Sequence, residues 1–120
     1  MNTTWAVQLK AISREEPARL VRTLTGAILG VGGWVLSRGC DDMGKVTMLF
    51  EFERNACLDI YTVLVAAGVE LGASEHVQLT DLYSRTKGRA RDCGSEIASI
   101  ELEIMTSGFP DVPNPASRVM

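Results

Sequence analysis

The stretch LVRTLTGAILGVGGWVLS, residues 20–37, contains a change of hydrophobic period that decides the predicted fold. In its first part, apolar residues recur at intervals of three and four, which places them on one stripe of a helix. They are Leu20, Leu24, Ala27, Ile28 and Val31. Three glycines then fall within four positions, and the strand-like segment GWVLSR follows. The stretch therefore predicts a helix that ends in a glycine turn and leads directly into a strand.

The three glycines, Gly30, Gly32 and Gly33, raise the question of a phosphate-binding loop. A dinucleotide-binding turn has the pattern G-x-G-x-x-G after a strand and before a helix, so that the helix N-terminus faces the pyrophosphate. Here the glycines follow a helix and precede a strand, and no Gly-Lys-Ser or Gly-Lys-Thr comes after them. We therefore expect structural glycines, with Gly30 or Gly32 ending the helix in the left-handed conformation.

Alternating patterns on both sides of this helix predict strands. TTWAVQLKA (residues 3–11) alternates apolar and polar side chains before the helix, and Ser13 and Glu16 have the spacing of a capping box. After the helix, GWVLSR and KVTMLFEFE (residues 45–53) are separated by the polar segment GCDDMG (residues 39–44). This arrangement predicts a hairpin whose two aspartates are turn residues.

The segment ACLDIYTVLVAAG, residues 56–68, predicts a second helix, capped by Asn55 and ended by Gly68. It is apolar nearly all round, so the domain or a second subunit must cover more than one of its sides. We therefore expect a homodimer.

The C-terminal part of the chain combines a weak pattern with a strong one. Residues 69–93 predict an opening strand and then a short helix capped by Thr80. EIASIELEIM (residues 96–105) alternates apolar and acidic residues, which predicts a strand with a solvated face at a sheet edge.

The element order strand, helix, strand, strand, helix, strand predicts an α+β fold. The expected architecture is a ferredoxin-like βαββαβ sandwich, an antiparallel sheet with two helices on one face, plus an extra C-terminal strand. Residues 1–106 form the expected single domain, and the proline-rich residues 107–120 form an irregular tail.

Composition excludes several function classes. The chain has 120 residues, of which 46% are hydrophobic and 22% charged, as in an ordinary globular domain. A net charge of −3 provides no basic field for nucleic acid or an anionic membrane. Three cysteines without a C-x-x-C pair, and no signal-peptide pattern, indicate a cytoplasmic protein with reduced thiols. We expect no cofactor and no membrane partner.

The segment EEPARLVRTLTGAILGVGGWVLS, residues 15–37, resembles the start of an ACT domain. In that family a Pro-Gly-x-Leu opening leads into the first helix, which ends in a Gly-Gly-Asn-Ile type of turn. The matching positions here are Pro17, Leu20, Gly32, Gly33 and Val35. Ala18 stands in place of the glycine of the opening, and Trp34 in place of the asparagine of the turn.

The resemblance implies a dimeric, non-catalytic regulatory module that binds an amino acid or another small metabolite between subunits. By position, the residues expected to contact such a ligand are Ser13, Arg14, Glu15, Glu16, Gly33 and Trp34. Amide groups at the start of the first helix favour a carboxylate ligand, and Arg14 adds positive charge.

Two alternatives remain open from the residues alone. The first is a ferredoxin-like dimeric enzyme acting on a small apolar substrate. It requires an apolar cavity with a titratable group inside, such as His76 or Asp81. Cys57, at the start of the second helix, and His76 form a candidate nucleophile and base. His76 is the only histidine, which excludes a multi-histidine metal site.

The second alternative is an interaction domain that uses a basic loop. Every second residue of this loop is cationic: Arg85, Lys87, Arg89 and Arg91. An exposed loop of this kind is suited to a phosphate or an acidic partner.

Overall fold

The structure, a computed structural model, describes residues 5–89 and 96–106, and it describes side chains for residues 6–84 and 96–106. The elements in chain order are β1 (Trp5–Ser13), α1 (Pro17–Gly30), β2 (Trp34–Cys40), β3 (Lys45–Glu53), α2 (Cys57–Ala66), β4 (Glu70–Leu71), α3 (Ala73–Arg89) and β5 (Ile97–Thr106). These elements confirm the α+β class. The tail predicted at residues 107–120 lies outside the described residues.

The strands form one mixed sheet in the order β2-β3-β5-β1-β4. β5 pairs with β1 in parallel and with β3 in antiparallel orientation. The prediction that this strand lies at a sheet edge is therefore wrong. Alternation of apolar and polar residues shows only that a strand has one buried and one solvated face. A central strand of a sheet with one open face has the same pattern as an edge strand.

The predicted ferredoxin-like order is not confirmed, because β5 separates β3 from β1. The order of the other four strands, β2-β3-β1-β4, matches that of a ferredoxin-like sheet. The sheet is mixed rather than fully antiparallel because β5 runs parallel to β1. The three helices of the described residues are the two of the predicted sandwich and the short helix predicted after Thr80, which is longer and begins earlier than expected.

The third helix, α3, replaces most of the strand and the loop that were predicted after residue 69. The strand is reduced to Glu70–Leu71, and α3 begins at Ala73, seven residues before the expected cap. Leu79 and Leu82 are buried at helical spacing, and Tyr83 packs against the core beside them. The polar residues between these positions dilute the helical pattern in the sequence, and tertiary packing supplies the missing stabilisation.

The ends of α1 follow the sequence in part. Glu16 itself is the N-cap, and its carboxylate accepts the backbone N–H groups of Arg19 at 2.9 Å and Ala18 at 3.3 Å. At the other end, Gly32 has a φ of +94°, so a left-handed glycine ends the helix as predicted. Gly33 is tightly packed, since a Cβ there would lie 2.8 Å from Cγ2 of Ile28.

The core lies between the helices and one face of the sheet. From the sheet it receives alternate residues of β3 and β5, and from α1 it receives Leu20, Leu24 and Ile28. The opposite face of the sheet is open to solvent and carries cross-strand polar pairs, such as Gln8 with Glu101 at 2.8 Å.

An ion pair between the fully buried Arg54 and the more exposed Glu96 holds the start of α2 against the sheet. A single 3₁₀ turn, Arg54–Ala56, links β3 to α2, and the Arg54 side chain has no exposed surface. Its Nη1 lies 2.7 Å from Oε1 of Glu96, and its backbone N–H donates to the Glu96 carbonyl at 2.8 Å. The N-cap of α2 is Ala56 rather than the predicted Asn55, whereas Gly68, with a φ of +99°, follows the helix as predicted.

No helix in the described part of the chain is long and apolar enough to cross a membrane.

Candidate functional site

A cavity of about 110 Å³ lies between α2 and α3. Its described lining residues are Cys57, Leu58, Tyr61, Leu79, Thr80 and Tyr83. The first three lie on α2 and the last three on α3, and both sets have the spacing i, i+1 and i+4. Residues four apart lie on the same face of a helix. Each helix therefore presents one short face to the cavity.

The lining side chains differ in exposure in a way that gives the cavity a floor, walls and a mouth. Cys57 and Leu79 are buried and form the floor. Tyr61 and Tyr83 are half-buried and form the walls, whereas the exposed Leu58 and Thr80 border the mouth. None of these side chains is charged at neutral pH, so the cavity is suited to a neutral and largely apolar ligand.

One hydrogen bond connects the two helices beside the cavity. The Tyr61 hydroxyl lies 2.9 Å from Nδ1 of His76, and the two rings make an edge contact with centroids 5.6 Å apart. His76 lies one turn of α3 before Thr80, so this pair lies at one end of the cavity. The enzyme alternative requires a titratable group such as His76 or Asp81 inside the cavity, and neither of these two residues is among the described lining residues.

The Cys57 thiol does not have the properties of an activated nucleophile. Burial raises the pKa of the Cys57 thiol to about 11, although the nearby Arg54 opposes this shift. The thiol is therefore protonated at neutral pH, and only the thiolate is an effective nucleophile. His76 is hydrogen-bonded to Tyr61, so the proposed pairing of Cys57 with His76 has no direct support in the geometry.

The first loop, Ser13–Glu16, is held mainly by contacts within the chain. The buried Ser13 hydroxyl accepts the Glu15 backbone N–H at 3.1 Å, and the Glu16 carboxylate accepts two amides of the first turn of α1. Arg14 is exposed and lies 3.9 Å from a Glu70 carboxylate oxygen. The amides of Ala18 and Arg19, which a ligand carboxylate would need, are already hydrogen-bonded to Glu16.

The other two residues expected to contact the ligand, Gly33 and Trp34, lie beyond the opposite end of α1. The 14 residues of this helix span about 21 Å. Nε1 of Trp34 donates to the Glu51 carboxylate at 3.0 Å, on the open face of the sheet. The structure therefore does not bring these residues together with the first loop within one chain. A pocket that used both groups would have to form between two chains.

The basic segment predicted as a loop begins inside α3. The backbone of Arg85, Lys87 and Arg89 is helical, which corrects the prediction of a loop at these positions. The side chains of these residues, and the whole of Arg91, lie outside the described part of the structure.

The open face of the sheet carries a broader and more polar depression of about 620 Å³, lined in part by Gln8, Ser99 and Glu101. The one acidic side chain among its described lining residues, Glu101, accepts a hydrogen bond from Gln8. Among the described residues, no group of three histidine, cysteine, aspartate or glutamate side chains is arranged to hold a metal ion.

Asp41 forms the predicted turn, since its carboxylate accepts the backbone N–H groups of Met43 and Lys45.

No family model matches this chain, and no curated protein or solved structure matches it.

Proposed function

We propose that this protein is a non-catalytic binding module whose ligand is a small, neutral and largely apolar molecule held between α2 and α3. The observation that carries the proposal is the cavity of about 110 Å³ with an apolar floor, two tyrosine walls and a mouth at the surface. An apolar protein cavity of about 150 Å³ binds benzene. The volume here therefore suits a ligand of about one small ring.

The chemistry of the lining supports binding rather than reaction. A protonated Cys57 thiol is a weak nucleophile. A charged ligand would lose its hydration without meeting an opposite charge among the described lining side chains. The cavity also differs from the amino-acid site that the ACT resemblance implies, because that site depends on helix amides that Glu16 already occupies.

We further propose that the module acts as a homodimer with a regulatory role, as the ACT resemblance implies. Apolar side chains on the outer surface of the helix pair support this proposal. Val65 on α2 is about half exposed, and Val77 on α3 is 66% exposed. Burial of such side chains against a second copy is favourable by the hydrophobic effect.

The proposal is tested by titration of the protein with toluene, followed by amide chemical shifts. We expect saturable shifts at residues 57–61 and 79–83. Thr80→Phe places a ring at the mouth and should abolish them. Ser74→Phe, six residues earlier on α3 at another exposed position, adds the same ring away from the cavity and should leave them intact. Light scattering of the same samples should give twice the 13.0 kDa mass of one chain.

Two results would contradict the binding proposal. One is the absence of saturable shifts in the unmodified protein, and the other is unchanged binding in Thr80→Phe. A mass of one chain would contradict only the dimer.

A further inference from the structure

We infer that the Tyr61 end of the cavity selects ligands that donate a hydrogen bond there, because His76 fixes the Tyr61 hydroxyl as an acceptor. This inference depends on the proposed function, since it specifies the chemistry of the ligand held between α2 and α3. It makes Tyr61 the residue that determines ligand specificity and His76 a positioning residue that acts through it.

The inference starts from the 2.9 Å contact between the Tyr61 hydroxyl and Nδ1 of His76. A neutral imidazole has one nitrogen that donates and one that accepts. A phenol is a stronger donor than a neutral imidazole N–H, and an imidazole nitrogen is a stronger acceptor than a phenol oxygen. The favoured arrangement is therefore O–H···N, with Tyr61 donating to Nδ1 and the imidazole proton on Nε2.

A tyrosine hydroxyl has a single proton. Once that proton is donated to His76, the oxygen can only accept further hydrogen bonds. The edge contact between the two rings, with an interplanar angle of 72°, restrains the orientation of the pair. Tyr61 also forms a wall of the cavity. A ligand N–H or O–H group can therefore donate a hydrogen bond to the Tyr61 oxygen. A ligand group that only accepts hydrogen bonds receives none from Tyr61.

Pyrrole and furan are suitable probes because they are five-membered rings of nearly the same shape with opposite polarity. The pyrrole N–H donates and does not accept, whereas the furan oxygen only accepts. We compare the ratio of the two dissociation constants between variants. Because the hydration of each free probe is the same for every variant, it does not affect this comparison. A single hydrogen bond changes such a ratio by about three- to tenfold.

The experiment measures this ratio at neutral pH, by amide chemical shifts, in four variants and the unmodified protein. We expect preference for pyrrole in the unmodified protein and a three- to tenfold loss of that preference in Tyr61→Phe, which removes only the oxygen. In His76→Leu, the Tyr61 proton is released and can be donated to the ligand. Furan binding should therefore become tighter in this variant.

Two matched controls identify the hydroxyl responsible. Tyr83→Phe makes the same chemical change on the opposite wall, and Thr80→Val removes the hydroxyl at the mouth while keeping the side-chain shape. Because both residues line the cavity, either substitution can change the individual dissociation constants, but neither should remove the preference for pyrrole. If His76→Leu does not fold, as judged by its amide spectrum, Tyr61→Phe against Tyr83→Phe still decides the result.

The two proposals fail in distinguishable ways. If neither pyrrole nor furan binds the unmodified protein, the cavity is not a binding site and the proposed function is wrong. If both bind and the ratio is the same in Tyr61→Phe as in the unmodified protein, the binding module stands and the role of Tyr61 is overturned. A loss of preference in Thr80→Val or Tyr83→Phe instead of Tyr61→Phe overturns the inference in the same way.

Discussion

The first turns of α1 and α2 both follow a strand closely, but they differ in the groups that remain free to contact a ligand. At α1 the Glu16 carboxylate satisfies two backbone amides, so a negative group of the chain itself occupies the helix end. At α2 no side chain of the described residues caps the helix, and Cys57 in the first turn forms part of a cavity floor. The polar loop is thus largely satisfied within the chain, whereas the apolar helix start leaves room for a ligand.

The comparison shows that polar residue types in a sequence do not reveal which polar groups of the folded chain are free to bind a ligand. Ser13, Glu15 and Glu16 have the residue types of a binding loop, but buried or helix-terminal polar groups need partners and find them locally. The cavity residues are chiefly leucine, tyrosine and cysteine, which look like core in a sequence. Only the gap between two helices makes them a candidate site.

Loss of the ion pair beneath α2 should have the largest effect of the changes considered. Arg54→Ala removes a fully buried guanidinium from its contact with Glu96 and from under the first turn of α2. Replacement of a large, fully buried side chain by alanine leaves a cavity and typically costs about 2–5 kcal/mol. We expect a decrease of that size in the free energy of unfolding, measured by urea denaturation, together with loss of toluene binding.

The matched control is Arg38→Ala. Arg38 also donates a side-chain hydrogen bond, to the Thr25 hydroxyl at 3.0 Å, but it is exposed at the edge of the sheet. Its loss should cost less than about 0.5 kcal/mol, as is usual for exposed positions. Equal costs for the two variants would show that the burial of Arg54 does not stabilise the start of α2.

Removal of the α1 cap should have a smaller effect. Glu16→Ala frees the amides of Ala18 and Arg19, and loss of an N-cap costs about 1 kcal/mol. Arg22→Ala, at an exposed position later in α1, is the control and should be close to neutral.

Glu16→Ala also tests whether the two helix starts differ in their capacity to bind a ligand. If glycine or acetate shifts the Ala18 and Arg19 amides in Glu16→Ala but not in the unmodified protein, the Glu16 carboxylate is the group that prevents a ligand from binding at the first loop.

Much of the framework was predictable because hydrophobic period reports secondary structure directly. The strand containing Phe50 and Phe52, the helix from Leu20 to Ile28 and the left-handed turn near Gly32 all follow from local patterns. Sheet order was not predictable, because the insertion of β5 between β3 and β1 depends on pairing between residues some 90 positions apart. No local pattern reports such a contact.

The candidate site was predictable only at His76 and Cys57, which carry distinctive chemistry. The remaining lining residues have no special chemistry, and α3 was expected to begin at Thr80 rather than at Ala73. A short helix that begins at Thr80 gives no reason to place His76 opposite Tyr61. The repeated spacing of i, i+1 and i+4 on both helices was the available signal, and it acquires meaning only when α2 and α3 are known to be neighbours.

The smallest expected effect concerns the reactivity of Cys57, and it distinguishes the two helix starts without a change in stability. A helix N-terminus ordinarily lowers a thiol pKa, but burial raises the pKa of Cys57 to about 11. In a variant with Cys40→Ser and Cys93→Ser, we expect slow labelling by a disulfide reagent at neutral pH. The rate should rise steadily up to about pH 10, because only the thiolate reacts.

Ligand protection links this reactivity to the cavity. Toluene at saturation should slow the labelling of Cys57, because the thiol lies on the cavity floor and the reagent must enter through the mouth. In the complementary variant that retains only the exposed Cys40, toluene should have no effect, since Cys40 lies at the end of β2. Fast labelling of Cys57 at neutral pH, without protection by toluene, would mean that the start of α2 is an activated helix end rather than the floor of an apolar site.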